Sequence, residues 1–263
     1  MPGFGLSSRV LFPTQGKDIE REFCDLLNLW QSAMGLEKII VMGHSFGAYV
    51  SCCYSMFYPD NVISLVLIDS WGFLDTYSYT VESLYNHGLS FFKKIVFSSR
   101  FFWLSFTFLI RPFLLTDIIR MFGFKYGPLL INRFNSHILD HFAKDIQNNG
   151  REICCEYFCR VNCFSPTGEI AFLELMNQYF MAKNPLINRI NMLGHLKKLY
   201  FIFGKDSYLD CIAGLKVQKI LENTKTYVHV IPNTSHLPHV ESSNTFNSLI
   251  LNVLKDLNSD FEK

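Results

Sequence analysis

One stretch constrains this chain more than any other: Ile39-Ile40-Val41-Met42-Gly43-His44-Ser45-Phe46-Gly47-Ala48-Tyr49-Val50. Four apolar residues read as a buried strand, Gly-His-Ser-Phe-Gly as a sharp turn, and Ala48 to Phe57 as a helix closed by Pro59. This is the nucleophile-elbow pattern, a serine on a strained strand-to-helix turn with its hydroxyl exposed. Glycines flank the serine because a β-carbon there meets the neighbouring strand and helix. The N–H that follows it, that of Phe46, is placed to face a developing oxyanion. The plainer reading is a glycine-rich turn whose serine caps the helix. The apolar run before it and the helix after it favour the elbow.

An elbow needs a sheet, and the rest of the chain supplies strands in alternation with helices. Ile19, Phe23, Leu26, Leu27 and Trp30 recur at helical spacing, so Lys17 to Met34 reads as a helix ended by Gly35. Val62 to Asp69 is a buried, β-rich run of the kind typical of parallel sheets. Alternation resumes with a strand at Leu199–Phe203, a helix at Leu215–Leu221, a strand at Tyr227–Ile231 and a closing helix at Thr245–Leu257, before a loose tail. Near the start, Gly3-Phe4-Gly5 is a tight turn. It lacks the preceding histidine of an oxyanion-donor loop, and only one helix fits between it and Ser45.

Between about Leu74 and Leu196 the alternation stops, and aromatic, helix-like segments predict an inserted cap. The expected division is therefore residues 1–73, a helical cap at 74–196, and residues 197–263. Within the cap, Phe101 to Ile110 is the most apolar run, bracketed by Arg100 and Arg111. A bilayer-spanning helix needs about 20 residues, so this run does not cross one. Trp103, Phe106 and Phe108 are candidates for lining an acyl pocket or lying at a membrane interface, against a buried cap helix. The 26 Phe of 263 residues fit either an apolar pocket or a Phe-rich core. A net charge of +1 excludes a global electrostatic footprint for nucleic acid.

The chain opens without a basic and then apolar leader, so its eight cysteines suggest reduced thiols in an intracellular setting. Cys154, Cys155, Cys159 and Cys163 cluster at helical spacing without a CxxC pair. That favours a face of small buried side chains over a metal site.

Elbow chemistry also needs a base and an acid, in the chain order serine, acid, histidine. His236 follows the last strand, where a base must sit to take the proton of the Ser45 hydroxyl. Three acids satisfy the order: Asp206 and Asp210 after the Phe203 strand, and Asp69 after the strand beyond the elbow.

Several blocks follow one another in a familiar order: Gly3-Phe4-Gly5-x-Ser7-Ser8-Arg9, Gly43-His44-Ser45-x-Gly47, Tyr58-Pro59-Asp60-x-Val62, Asp69-x-Trp71-Gly72-Phe73 and Ser165-Pro166-Thr167-Gly168-Glu169-x-Ala171-Phe172. Over nearly its whole length the chain resembles the abhydrolase domain-containing proteins four and five. The resemblance implies an α/β fold, with an α/β-hydrolase core and an inserted helical cap. It implies Ser45, Asp210 and His236 as the triad, because the family's acid lies six residues beyond the glycine that ends its strand. Asp206 is then the alternative acid, and Ser207 stands where many other hydrolases keep theirs.

The family's lysophosphatidate acyltransferase motif is His-x4-Asp, matched here by His236 with Glu241 in place of the aspartate. One branch of the family carries asparagine at the nucleophile and acts as a lipase co-activator on lipid droplets. Ser45 sides with the hydrolytic branch, which resembles lysophospholipases acting on N-acyl phosphatidylethanolamines. The resemblance thus implies a cytoplasmic hydrolase of lipid acyl esters, with no cofactor. It would be peripherally bound to lipid droplet, endoplasmic reticulum or mitochondrial membrane, with a lipase or droplet-coat protein as a partner. The alternative is a non-catalytic adaptor at such a surface. Family members carry strands and an oxyanion loop ahead of the point where this sequence begins, so it reads as a fragment, a short isoform or an incomplete gene model.

Overall fold

A computed structural model describes residues 1–13, 15–74, 115–134, 136–144, 146–177, 181–209 and 211–259. Trp103, Phe106, Phe108 and Asp210 lie outside the described residues. The chain divides into two compact units, one of residues 1–12 with 87–173, the other of residues 13–86 with 174–263.

The second unit holds the sheet. Its strands are β1 (Ile39–His44), β2 (Val62–Ile68), β3 (Lys198–Gly204) and β4 (Lys225–Ile231), all parallel and ordered β1-β2-β3-β4. Each expected strand forms, because each is a short run of β-branched and aromatic residues bounded by turn residues. β3 is buried from end to end, which explains why it reads as a continuous apolar run rather than an alternating one.

Helices α1 (Gly16–Ala33), α2 (Phe46–Phe57), α7 (Ile212–Ile220), the short α8 (Pro238–Glu241) and α9 (Ser243–Asn258) complete this unit. On one face of the sheet Val66, Ile68, Tyr200 and Ile202 pack with Phe246, Val253 and Leu257 of α9. Strand alternation turns Phe201 to the other face, where it meets the Phe73 ring and Gly214 of α7.

Helix α1 ends as expected: Gly35 has φ 66°, and the Leu36 N–H returns to the Gln31 carbonyl. Its apolar stripe is narrower than the periodicity suggests. Ile19 and Phe23 are buried, whereas Trp30 is 50% exposed. A 3-10 helix, Leu186–Leu193, carries Arg189 against the buried Glu20 of α1, with both guanidinium nitrogens on the carboxylate at 2.7 and 2.9 Å. The Tyr49 hydroxyl of α2 donates to the same carboxylate. The helix behind the elbow is thus tied to α1 through a largely buried ion pair, and removing either charge would strand the other.

The first unit is helical: α3 (Leu115–Phe134, broken at Gly123), α4 (Ser136–Ala143), α5 (Gly150–Asn162) and the start of α6 (Thr167–Leu175). Ile131, Leu139, Cys154, Cys155 and Cys159 form its core, which bears out the small buried cysteine face. The Gly3 turn forms, with φ 81° at Gly3 and 53° at Gly5, and the Gly168 N–H donates to the Gly3 carbonyl. A β-carbon on Gly3 would lie 2.5 Å from the Gly168 nitrogen. The opening turn therefore packs on the Ser-Pro-Thr-Gly-Glu block, and residues 1–12 join the helical unit instead of the first core segment. The following Glu169 accepts from Arg120 and Thr116 of α3.

Candidate active site

Parallel strands bring their carboxyl ends to one edge, and the register aligns three of them in a row. His44 lies opposite Ile68, and Ile68 opposite Ile202. The next residue of each of the first two strands is Ser45 and Asp69. The Ser45 N–H donates to the Ile68 carbonyl at 2.9 Å, and the Asp69 N–H to that of Ile202 at 2.7 Å. Both residues leave the sheet with positive φ, 54° at Ser45 and 41° at Asp69. Such conformations cost about 1–3 kcal/mol each and persist only where the surroundings hold them.

At the elbow, a β-carbon on Gly43 would sit 2.5 Å from the Gly47 carbonyl oxygen and 2.6 Å from Ser51 Oγ. The strand and helix therefore close only over glycine. The flanking Gly47 differs: its β-carbon position has no neighbour within 4 Å among the described residues. Phe46 opens α2, its ring packed edge-on against Phe23 and Trp71. Gly72, with φ 88°, lies so close to Tyr49 that a β-carbon would reach 2.3 Å from that ring. The Trp-Gly-Phe block is thus shaped by the elbow helix.

The loop after β4 carries His236 to the same edge. It is tied to the loop after β3 by Lys205 N–H on the Ile231 carbonyl and Asp206 N–H on that of Thr234. A β-carbon on Gly204 would lie 1.9 Å from the Ser235 carbonyl oxygen, so glycine lets the two loops touch. His236 Nε2 is 3.0 Å from Ser45 Oγ. His236 Nδ1 is 2.5 Å from Asp69 Oδ2. The carboxylate is fully buried and also accepts from Ser207 Oγ at 2.5 Å and the Gly204 N–H at 3.2 Å. Three donors on one buried carboxylate match what an ionised acid needs when water is excluded.

Of the sequence candidates, Ser45 and His236 come together and Asp69 joins them. Asp206 does not: its side chain is exposed, and its N–H serves the Thr234 carbonyl. Asp210 lies outside the described residues, and the carboxylate that meets His236 is that of Asp69. The His236 Nδ1–H has one proton to donate, and the carboxylate receiving it comes from the end of β2. Ser207, at the place where other hydrolases keep an acid, completes the arrangement by donating to Asp69. That coincidence was the available signal: with the acid position held by a serine, an acid from the adjacent strand has room to enter.

Further side chains at the site were not foreseen. Tyr208 presents its hydroxyl 3.3 Å from His236 Nε2. His44 donates through Nε2 to the His236 carbonyl at 2.8 Å, and its ring lies between those of His236 and His239, 4.8 Å from each. Burial pushes His44 below its ordinary value. Burial, with His44 and His236 nearby, lowers His239 to about 4. Glu241 lies against the loop that carries His236. Its carboxylate takes the N–H groups of Ser235 and Leu237 and the Ser235 hydroxyl.

Fold and site together define an α/β-hydrolase-fold protein, and the alpha/beta hydrolase fold family matches residues 1–98. The curated relatives are abhydrolase domain-containing proteins of the four and five type, as the motif blocks imply. "Abhydrolase domain-containing protein abhd-5.2" of Caenorhabditis elegans is 28% identical over 256 residues, covering 97% of this chain and 52% of that protein. The "(Lyso)-N-acylphosphatidylethanolamine lipase" of Homo sapiens is 29% identical over 250 residues, 94% of this chain and 68% of that protein. "1-acylglycerol-3-phosphate O-acyltransferase ABHD5" of Sus scrofa is 26% identical over 245 residues, covering 93% of this chain and 65% of its own length. The chain thus spans between about half and two-thirds of these relatives. A solved esterase from Thermogutta terrifontis shares the fold at a TM-score of 0.52 and 18% identity, over 97% of this chain and 78% of that one. No helix among the described residues is long and apolar enough to cross a membrane.

Proposed function

We propose that this protein is a serine hydrolase of lipid acyl esters in which Ser45 is the nucleophile, His236 the general base and Asp69 the orienting acid. The observation that carries this is the unbroken chain of contacts from Ser45 Oγ to His236 Nε2 at 3.0 Å, and from His236 Nδ1 to Asp69 at 2.5 Å. Ser45 Oγ attacks the acyl carbon as its proton passes to Nε2. The buried Asp69 stabilises the imidazolium, which returns the proton to the leaving alcohol. Water repeats the sequence on the acyl-enzyme. The Phe46 N–H, at the positive end of α2, serves as one oxyanion donor.

Lipid esters are the substrate class because the relatives are named for a lysophospholipid lipase and an acylglycerol-phosphate acyltransferase. Acyl transfer fits the same intermediate, with a lysophosphatidate hydroxyl taking the place of water. We place the reaction at a membrane or lipid-droplet surface, where such substrates reside. The test is labelling of the purified protein by a fluorophosphonate probe, followed by lysophospholipid hydrolysis. Ser45→Ala should abolish the labelling and lower turnover by about 10⁶-fold where the three groups act as a unit. Folded protein that never labels, or labelling that survives Ser45→Ala, would overturn the proposal.

A further inference from the structure

The His-x4-Glu pair leaves a question that the triad does not absorb: what Glu241 does five residues after the base. An acid that took part in acyl transfer would have to touch the His236 ring or the acceptor. Its carboxylate is engaged instead by the loop that carries the base. Oε2 accepts the Ser235 N–H at 2.6 Å, while Oε1 accepts the Ser235 hydroxyl at 2.5 Å and the Leu237 N–H at 3.1 Å. One side chain therefore grips the main chain on both sides of His236.

The grip is opposed from across the site. His44 Nε2–H holds the His236 carbonyl at 2.8 Å. On the other flank the Asp206 N–H holds the Thr234 carbonyl, and the Thr234 hydroxyl returns to the Ile231 carbonyl at 2.9 Å. Hydrogen bonds to a carboxylate are about twice as strong as neutral ones and directional. The spacing follows from helix geometry. Pro238 starts the short helix α8, and Glu241 lies one turn in, so its side chain reaches back over the loop that precedes the helix.

We propose that Glu241 is a positioning residue, which fixes the imidazole of His236 between Ser45 and Asp69 by clamping its two neighbours. It serves hydrolysis and acyl transfer alike and does not select between acceptors. This rests on the triad reading above for its catalytic consequence, though not for the clamp itself.

Two measurements on Glu241→Ala and Glu241→Gln test it. The first is amide hydrogen exchange of the folded chain. The Ser235 and Leu237 amides should be protected in the wild type, and in Glu241→Ala they should exchange about tenfold faster or more, as expected for losing a bond to a charged acceptor. Glu241→Gln, which keeps the shape and one acceptor oxygen, should be intermediate and guards against a variant that fails to fold. Unchanged exchange at both amides overturns the clamp whether or not the protein has activity.

The second is kinetic. A displacement near 1 Å at a reacting group costs on the order of 10²-fold, so Glu241→Ala should lower kcat by roughly that factor with KM little changed. Gln should restore part of the loss, and the ratio of acyl transfer to hydrolysis should stay at its wild-type value. Loss of transfer with hydrolysis intact would instead make Glu241 an acceptor-side residue and refute the proposal. Wild-type protein that exchanges as expected but never labels would leave the clamp standing and defeat the triad reading.

Discussion

Replacing Asp69 by asparagine is the sharpest test of the site, because the substitution changes one atom in a place with no slack. The carboxylate is 0% exposed. Oδ2 faces the His236 Nδ1–H and the Ser207 hydroxyl, and Oδ1 faces the Gly204 N–H. An amide has one oxygen for these two stations. With its NH2 at the Oδ2 position it meets the N–H of His236 donor to donor. The imidazole escapes by moving its proton to Nε2, where it can no longer accept from Ser45. With its NH2 at the Oδ1 position it meets the Gly204 N–H, leaving a buried backbone donor unpaired at about 1–3 kcal/mol.

The first orientation removes the base. An acid-to-amide change in a triad lowers kcat by about 10⁴ through the wrong tautomer, equivalent to roughly 5 kcal/mol of transition-state stabilisation. The assay is single-turnover acylation by a p-nitrophenyl ester and the second-order rate of fluorophosphonate labelling, with the unfolding midpoint as a control for the second orientation. Asp210→Asn, made in parallel, should stay within a few-fold of wild type. The reasoning fails if Asp69→Asn acylates within tenfold of wild type, and doubly so if Asp210→Asn is the variant that loses 10⁴.

Two further outcomes follow from the same geometry. Gly43→Ala should cost at least about 2 kcal/mol, since its β-carbon would lie 2.5 Å from a backbone oxygen. That corresponds to a fall in Tm of roughly 4–8 °C, and an unchanged melting curve would mean the elbow has room to spare. Stability should also fall on mild acidification. His239 is held at about 4 in the folded chain by burial, beside His44 and His236 and against Glu241 and Asp69, and its buried Nδ1 has no hydrogen-bond partner among the described residues. The unfolded chain binds a proton near 6.5. The contribution is thus complete above about pH 6.5 and lost as pH falls toward 4, up to about 2 kcal/mol by pH 5. Urea midpoints of wild type and His239→Asn at pH 7.5 and 5 check this; equal acid sensitivity of the two would refute it.

What was legible in the sequence was whatever rests on local spacing. The four strands announce themselves as apolar runs, and α1 stops at the glycine that can take φ 66°. The turn at Ser45 is readable because strand, turn and helix are contiguous and only glycine lets Gly43 pass the Gly47 carbonyl. His236 is readable as well, since the loop after the last parallel strand must open at the same edge as the elbow. Trp30 misled because helical periodicity reports an apolar stripe but not how wide a partner covers it.

The carboxylate that meets His236 was not legible. Asp69, Asp206 and Asp210 all lie between serine and histidine in the chain, and order along the chain carries no information about direction in space. The tertiary structure chose through two long-range facts. Strand pairing sets the end of β2 beside the end of β3, and the loops after β3 and β4 bring Ser207 and His236 onto the Asp69 carboxylate. Glu241 shows the same limit from the other side. Its separation of five residues from His236 suggests a partnership of side chains, yet the fold makes it a partnership of a side chain with the main chain. Sequence determines which residues are near in the chain and what each can donate or accept; only packing decides which donors and acceptors meet.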